Sequence, residues 1–209
     1  RHRRVVETRG GCPVEEIIVR IPARHKGLVQ AVTTFVERVI AFETEAPRPR
    51  GVDYMAHERA LGAAAAAIER EGHAVSLAAL DVDAERVRIN GVVHVQVLRV
   101  EAQYKTRVGP VPVTRSLFRA EGKRNGKTVN TVTLRSGAIE DEWLPGTASA
   151  MAHRLARGPS REAATASSSE GTLPYSHSSF ERIGHAFGRK RGERGGDIEE
   201  VLVAEMKIP

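Results

Sequence analysis

The chain has a single cysteine, Cys12, in 209 residues, so it can build neither a disulfide framework nor a cysteine-based zinc finger or ribbon. A reducing compartment is the simple expectation. Aromatic residues are scarce at 4%, which tells against a sheet that reads single-stranded nucleic acid by stacking bases. There is no apolar run of about eighteen residues, and Arg1, Arg3 and Arg4 are not followed by an apolar stretch. Neither a membrane span nor a signal peptide is therefore expected, and the chain reads as soluble and cytoplasmic.

Enzyme signatures are also missing. Gly122-Lys123 and Gly126-Lys127 lack the earlier glycine that a phosphate-cradling loop needs. His57-Glu58 opens like the zinc-protease helix motif, but Leu61 stands where the second histidine belongs. Ser167, Ser168 and Ser169 form a polar run in a loop-prone stretch without the Gly-x-Ser-x-Gly setting of a hydrolase nucleophile. Asp81, Asp83 and Glu85 alternate and could face one Mg²⁺, yet they read better as a helix exit followed by solvent-facing carboxylates. Glu140, Asp141 and Glu142 read as an exposed loop that Gly146 closes. No metal site and no catalytic set is assigned.

What the chain does have is positive charge, +6 overall, which favours a polyanionic partner. Its placement is uneven. Arg99 to Arg135 holds nine Lys or Arg against two Glu, whereas Gly51 to Leu98 holds four against seven Asp or Glu.

The patterning predicts an α+β fold in four parts: a strand and helix segment over 1–50, a helical segment over 51–82, a basic antiparallel meander over 83–135, and a helix-turn-helix-like bundle over 146–209. Glu16 to Ile21 reads as a short strand broken by Pro22. Leu28, Val32, Phe35, Val36, Val39 and Ile40 then recur at helical spacing. Ala46 to Gly51 reads as a linker. Met55 to Gly72 is an Ala-rich helix, followed by a second small helix at Ser76 to Leu80. In the meander, Asn90-Gly91 marks a tight hairpin before the β-branched stretch Val92 to Val100. Gly109-Pro110 marks the next reversal, and Asn125-Gly126 a second tight turn before a strand from Val129 to Leu134. Lys123, Arg124 and Lys127 crowd that turn, where they would grip a DNA backbone. The alternative is a charged hairpin edge that discourages strand pairing.

The last quarter carries the sharpest pattern. Thr147 to Ala156 and a segment starting at Ser160 read as short helices separated by Gly158-Pro159. The turn Gly171 to Tyr175 leads into an amphipathic helix from Ser176 to about Arg191. Phe180, Ile183, Gly184 and Phe187 share its inner face, while Ser179, Arg182, His185 and Arg189 lie across or beside it. Ser178 stands three residues before Glu181, a capping-box spacing, and Ser176 is an equal candidate for the cap. That is how a helix-turn-helix presents its second helix to DNA. Arg182 and His177 are the candidates for base edges. Ser176, Ser178, Ser179, His185, Arg189, Lys190 and Arg191 are candidates for the DNA contact surface beside them, chiefly on phosphates.

Five blocks then carry a resemblance in the same order along the chain: Leu77 to Val93 (LAALDVDAERVRINGVV), Tyr104 to Arg119 (YKTRVGPVPVTRSLFR), Trp143-Leu144-Pro145 with Met151-Ala152-His153, Ser160-Arg161-Glu162-Ala163, and Leu173 to His185 (LPYSHSSFERIGH). Together they resemble the region ahead of the catalytic domain in bacterial insertion-sequence transposases of the Kra type. The resemblance covers roughly Met55 to Pro209 and leaves Arg1 to Arg50 unplaced. It implies recognition of the element ends in double-stranded DNA. It also implies a downstream ribonuclease-H-like domain of the DDE class, whose three acids hold two divalent metals. Mg²⁺ is expected only for that domain. The chain stops at Pro209, where the resemblance would enter the domain's first strand, so no catalytic acid is assigned and both ends read as cut from something longer.

Two rival readings stay open. A stand-alone DNA-binding regulator would use the same helix, with Leu28 to Phe42 as a homodimer face for paired half-sites. A small metal-dependent nuclease would use Asp81 and Asp83 beside the basic hairpin.

Overall fold

A computed structural model describes residues 3–6, 14–17, 20–45 and 51–193, with side chains over 20–44 and 54–190. The fold is α+β. Strands β1 (Arg3–Val6) and β2 (Val14–Ile17) pair antiparallel by themselves. The strand expected at Glu16 to Ile21 thus begins two residues earlier, and Ile21 lies outside it. Helix α1 (Lys26–Glu45) follows a 3₁₀ turn that Pro22 leads into. It packs antiparallel on α2 (Gly51–Ala78), with Phe42 stacked on His57 at 3.8 Å near one end and Gly27 against Glu71 at the other. The apolar arc of α1 is wider than α2 covers, leaving Val32, Val36 and Ile40 exposed. Most of the linker expected between the two helices lies outside the described residues.

The expected second small helix does not exist as a separate element, because α2 continues through Gly72 to Ala78. An isolated glycine costs a helix about 1 kcal/mol but stops it only where the backbone turns left-handed. Gly72 does not turn left-handed, and the alanines around it carry the helix on.

The sheet runs in the order β3 (Arg86–Ile89), β4 (Val92–Thr106), β5 (Gly109–Ala120), β6 (Val129–Asn130), all antiparallel. Asn90 and Gly91 have φ of 48° and 76°, the two left-handed residues of the tight hairpin that the Asn-Gly pair predicts. The β4–β5 hairpin changes its buried face along its length. Near its tip Val111 and Val113 are buried with Ala102 and Tyr104, packed against Leu77 of α2 and Val132 and Ala138. Further along β5 it is Ser116, opposite Arg99, and Phe118, opposite Gln96 across the bulge at Gln96/Leu98, that are buried. Phe118 packs with Val87 and Ile89 and with Val82, Ala84, Val129 and Leu134 beside them.

Asp81 fastens the second half. Its side chain is 6% exposed, accepts from Ser116 N (2.8 Å) and Ser116 Oγ (3.1 Å), and pairs with Arg99. This corrects the solvent-facing reading: the carboxylate is buried and hydrogen-bonded, as a buried charge requires. Asp83, exposed, takes the other arm of Arg99 at 2.7 Å.

The strand expected over Val129 to Leu134 ends after Asn130. The Asn130 Oδ1 accepts from Thr133 N at 2.7 Å and caps a short helix, α3 (Thr131–Ser136), closed by Gly137 at φ 67°. A good cap is worth about 1 kcal/mol and here overrides the β-propensity of Val and Thr. The turn expected at Asn125-Gly126 falls one residue earlier, at 124–125, and does not by itself close the hairpin. A longer loop joins β5 to β6, with Gly122 rather than Asn125 in the left-handed region.

The last three helices, α4 (Pro145–Leu155), α5 (Ser160–Ser169) and α6 (His177–Glu193), enclose their own core of Met151, Ala163, Leu173, Phe180, Ile183 and Ala186, with Ile139 and Trp143 at its edge. Gly146 lies inside α4, whose first turn begins with Pro145, so it does not close the acidic loop. The loop itself reverses through Glu140 and Asp141, both at positive φ and exposed, whereas Glu142 is half-buried. Ser167 to Ser169 are helical, and buried Ser167 satisfies its hydroxyl on Ala163 O at 2.8 Å. Among the described residues no helix is long and apolar enough to cross a membrane.

Candidate nucleic-acid interface

Helix α6 divides its two faces sharply. Phe180 and Ile183 are fully buried, Ala186 nearly so, and Phe187 is half-buried against the same core. Gly184 sits where α4 crosses: a Cβ there would lie 3.1 Å from Leu155 Cδ2 and 3.4 Å from the Ala152 Cα. The glycine thus lets the two helices approach closely. With that face consumed, Ser178, Arg182, His185 and Arg189 form an exposed stripe at i, i+4, i+7 and i+11.

The start of α6 is built on Ser176. Its carbonyl accepts from Ser179 N (3.0 Å) and Phe180 N (3.2 Å), while its hydroxyl lies 3.0 Å from both Ser178 Oγ and Ser179 Oγ. The capping box expected from Ser178 and Glu181 does not form. Glu181 instead accepts from Ser160 Oγ at 2.6 Å, tying α6 to the first turn of α5. Ser176 Oγ also accepts from Ser179 N at 3.4 Å, so it caps the helix, and His177 and Ser178 are exposed at this end.

The turn before α6 is anchored to the sheet. Leu173, fully buried at φ 48°, donates its N–H to Arg107 O at 2.7 Å. Tyr175 donates its hydroxyl to Thr106 O at 2.7 Å and packs edge-on to Trp143. Burial pushes the Tyr175 phenol well above its ordinary range. The helix is therefore held on a rigid mount at the tip of the β4–β5 hairpin.

Charges along the stripe are in different states. Arg182, more than half exposed, is ion-paired to Glu140. Arg189, His177 and His185 are exposed without a hydrogen bond or ion pair among the described residues. Lys190 is half-buried and donates to Ala138 O at 3.1 Å. The Arg191 side chain lies outside the described residues.

Lys123, Arg124 and Lys127 are all exposed on the β5–β6 loop, where Arg119 donates to the carbonyl of Arg124 at 2.6 Å. The structure does not bring them to the start of α6. Ser176 sits by the hairpin tip and the loop leaves the far end of β5, which at about 3.3 Å per residue puts them roughly 35 Å apart.

A basic cleft of about 440 Å³ between α4 and α5 is a feature that reading of the sequence passes over. His153 and Arg154 on α4, Arg157 in the turn after it and Arg107 from the hairpin tip line it. Arg154 is ion-paired to Glu170 and holds that carboxyl below its usual range. His153, Arg154 and Arg157 are legible in the sequence as one polar side, but only the fold adds Arg107.

The carboxylates considered for metal are engaged elsewhere: Asp81 with Ser116 and Arg99, Asp83 with Arg99 and Gln96. Among the described residues there is no group of three His, Cys, Asp or Glu placed to hold a metal ion. No protein-family model, curated protein or solved structure matches this chain.

Proposed function

We propose that this chain binds double-stranded DNA through α6, as the end-recognition part of an insertion-sequence transposase. The observation that carries the reading is the division of α6 itself. Its apolar face is docked on the helical core, and the face left to solvent is a stripe of Ser178, Arg182, His185 and Arg189 beside an exposed, Ser176-capped helix start. A helix held this firmly and edged with donors suits the major groove, where Arg reads guanine and backbone N–H groups take phosphates. The resemblance of the motif blocks to Kra-type transposases supports this reading, in which the protein would work in the cytoplasm on the nucleoid.

In this reading Arg182 and His177 meet base edges, while Ser176, Ser178, Ser179, Arg189, Lys190 and Arg191 hold the backbone. Lys123, Arg124 and Lys127 contact phosphate about one helical turn away, the distance that roughly 35 Å represents on duplex DNA. In this reading Mg²⁺ would belong to the catalytic domain of the whole transposase.

Fluorescence anisotropy on random and inverted-repeat duplexes, across a salt series and with Mg²⁺ present, tests the proposal. Steep salt dependence, preference for the repeat and intact DNA are expected. Absence of binding at low salt would end it, and Mg²⁺-dependent nicking would replace it with the nuclease.

A further inference from the structure

Strand β4 is much longer than the strand that covers its outer edge. Strand β3 pairs only with Val92 to Val95, and Gln96 N adds one bond to Glu85 O. At the other end Lys105 bonds to Glu142 O and Leu144 N through the bridge to Trp143. Between them, from Val97 to Gln103, that edge has no backbone partner among the described residues. An edge of this length is a template for another strand unless something blunts it. Here it is also apolar where it is open: Val97, Leu98 and Val100 are 42%, 48% and 37% exposed.

The order of residues along the window selects the partner. In antiparallel pairing of two copies centred on Val100, each residue meets the one equally far on the other side of Val100. Val100 then meets Val100, and Leu98 meets Ala102. Arg99 meets Glu101 twice, once on each side of the two-fold axis. Directly opposed residues share a face of the sheet, so the charges are neighbours and opposite in sign. Glu101 is exposed and has no ion pair among the described residues. Arg99 is 45% exposed, and the two bonds to Asp81 and Asp83 leave it further N–H donors. A parallel arrangement in register would instead set Arg99 on Arg99 and Glu101 on Glu101.

We infer that two copies of this chain associate edge to edge through Val97 to Gln103 of β4, forming a continuous antiparallel sheet across a two-fold axis. The contact is small, so it belongs to the weak, concentration-dependent class of interfaces. It needs no nucleic acid and stands apart from the reading of α6.

Sedimentation equilibrium over a wide protein concentration range, without DNA, tests it. Glu101→Arg sets a second guanidinium opposite Arg99 of the other copy, and it alters an exposed side chain that the fold does not use. The dimer dissociation constant should rise by about tenfold or more, with the circular dichroism and melting profile unchanged. Glu101→Pro should do the same by removing an outward-facing backbone donor beside the centre of the window, since Lys105 bonds outward and alternate residues back along the strand share that edge. Hydrogen exchange at Val97 to Gln103 should slow as concentration rises in the parent chain and not in Glu101→Arg. A chain that stays monomeric at several hundred micromolar, a concentration typical of weak-interface assays, overturns the inference. A dimer indifferent to both edge substitutions but abolished by Val36→Glu also overturns it and assigns association to the exposed stripe of α1.

Discussion

Glu140 holds the guanidinium of Arg182, the exposed cation one turn into α6, from a loop that the chain threads past the helix just before α4. A carboxylate so placed competes with any phosphate or base edge for the same donors. Glu140→Gln should therefore strengthen binding to the preferred site several-fold and change binding to random duplex less, since the base contact made by Arg182 no longer has to displace a carboxylate. Paired affinity measurements on the two DNAs check it, and an unchanged affinity on both would show that Arg182 does not meet DNA.

Arg182→Ala should cost about 1 to 3 kcal/mol on the preferred site and little on random sequence. Equal losses on the two would reassign the residue to the backbone.

Neutralising Lys123, Arg124 and Lys127 together should weaken all duplexes alike and reduce the salt slope by about one unit for each phosphate left without its cation. At roughly 35 Å from the start of α6, by strand rise, their effect should add to that of Arg182→Ala without coupling. Titration of the triple and quadruple variants measures the additivity.

Tyr175 links the mount of α6 to the sheet, and its pH behaviour follows from its burial. The folded phenol ionises well above the ordinary tyrosine range because burial disfavours its charged form. The unfolded chain thus releases the proton first as pH rises past about 10, binds fewer protons than the native state there, and is favoured. Native stability should be level in this respect below that pH and fall above it. Tyr175→Phe should cost about 1 kcal/mol near neutrality through the lost bond to Thr106 O, and should fall less steeply in alkali. Urea midpoints of the two proteins between neutral and alkaline pH decide the sign.

Gly184→Val should destabilise the three-helix unit by about 1 to 3 kcal/mol, because its Cβ would crowd Leu155 and the Ala152 backbone. Gly188→Ala, with open space around it, should leave stability unchanged or raise it slightly. Chemical denaturation of both variants separates close packing from a general dislike of side chains in α6.

Local chemistry determined much of this protein. The Asn90-Gly91 hairpin, the apolar face of α6 at Phe180, Ile183 and Phe187, and the break at Gly158-Pro159 are all readable because each depends on neighbours within a turn or two of chain. Where two local preferences compete, the stronger has to be weighed in three dimensions. The run from Val129 to Leu134 is β-branched, but the Asn130 side chain captures Thr133 N and, with Tyr104 OH 3.2 Å away, turns the chain into α3.

Tertiary structure alone decided the rest. Asp81 has the sequence setting of a surface acid, but β5 places Ser116 beside it; Glu181 has the spacing of a capping residue, but α5 brings Ser160 within 2.6 Å. The pairing of Arg182 with Glu140 joins residues far apart in sequence, as does the cleft lined by Arg107, His153, Arg154 and Arg157. Composition and period report what a residue prefers; which charge lies across from it depends on how long-range strand pairing and helix packing close the chain, and no spacing along the sequence encodes that distance.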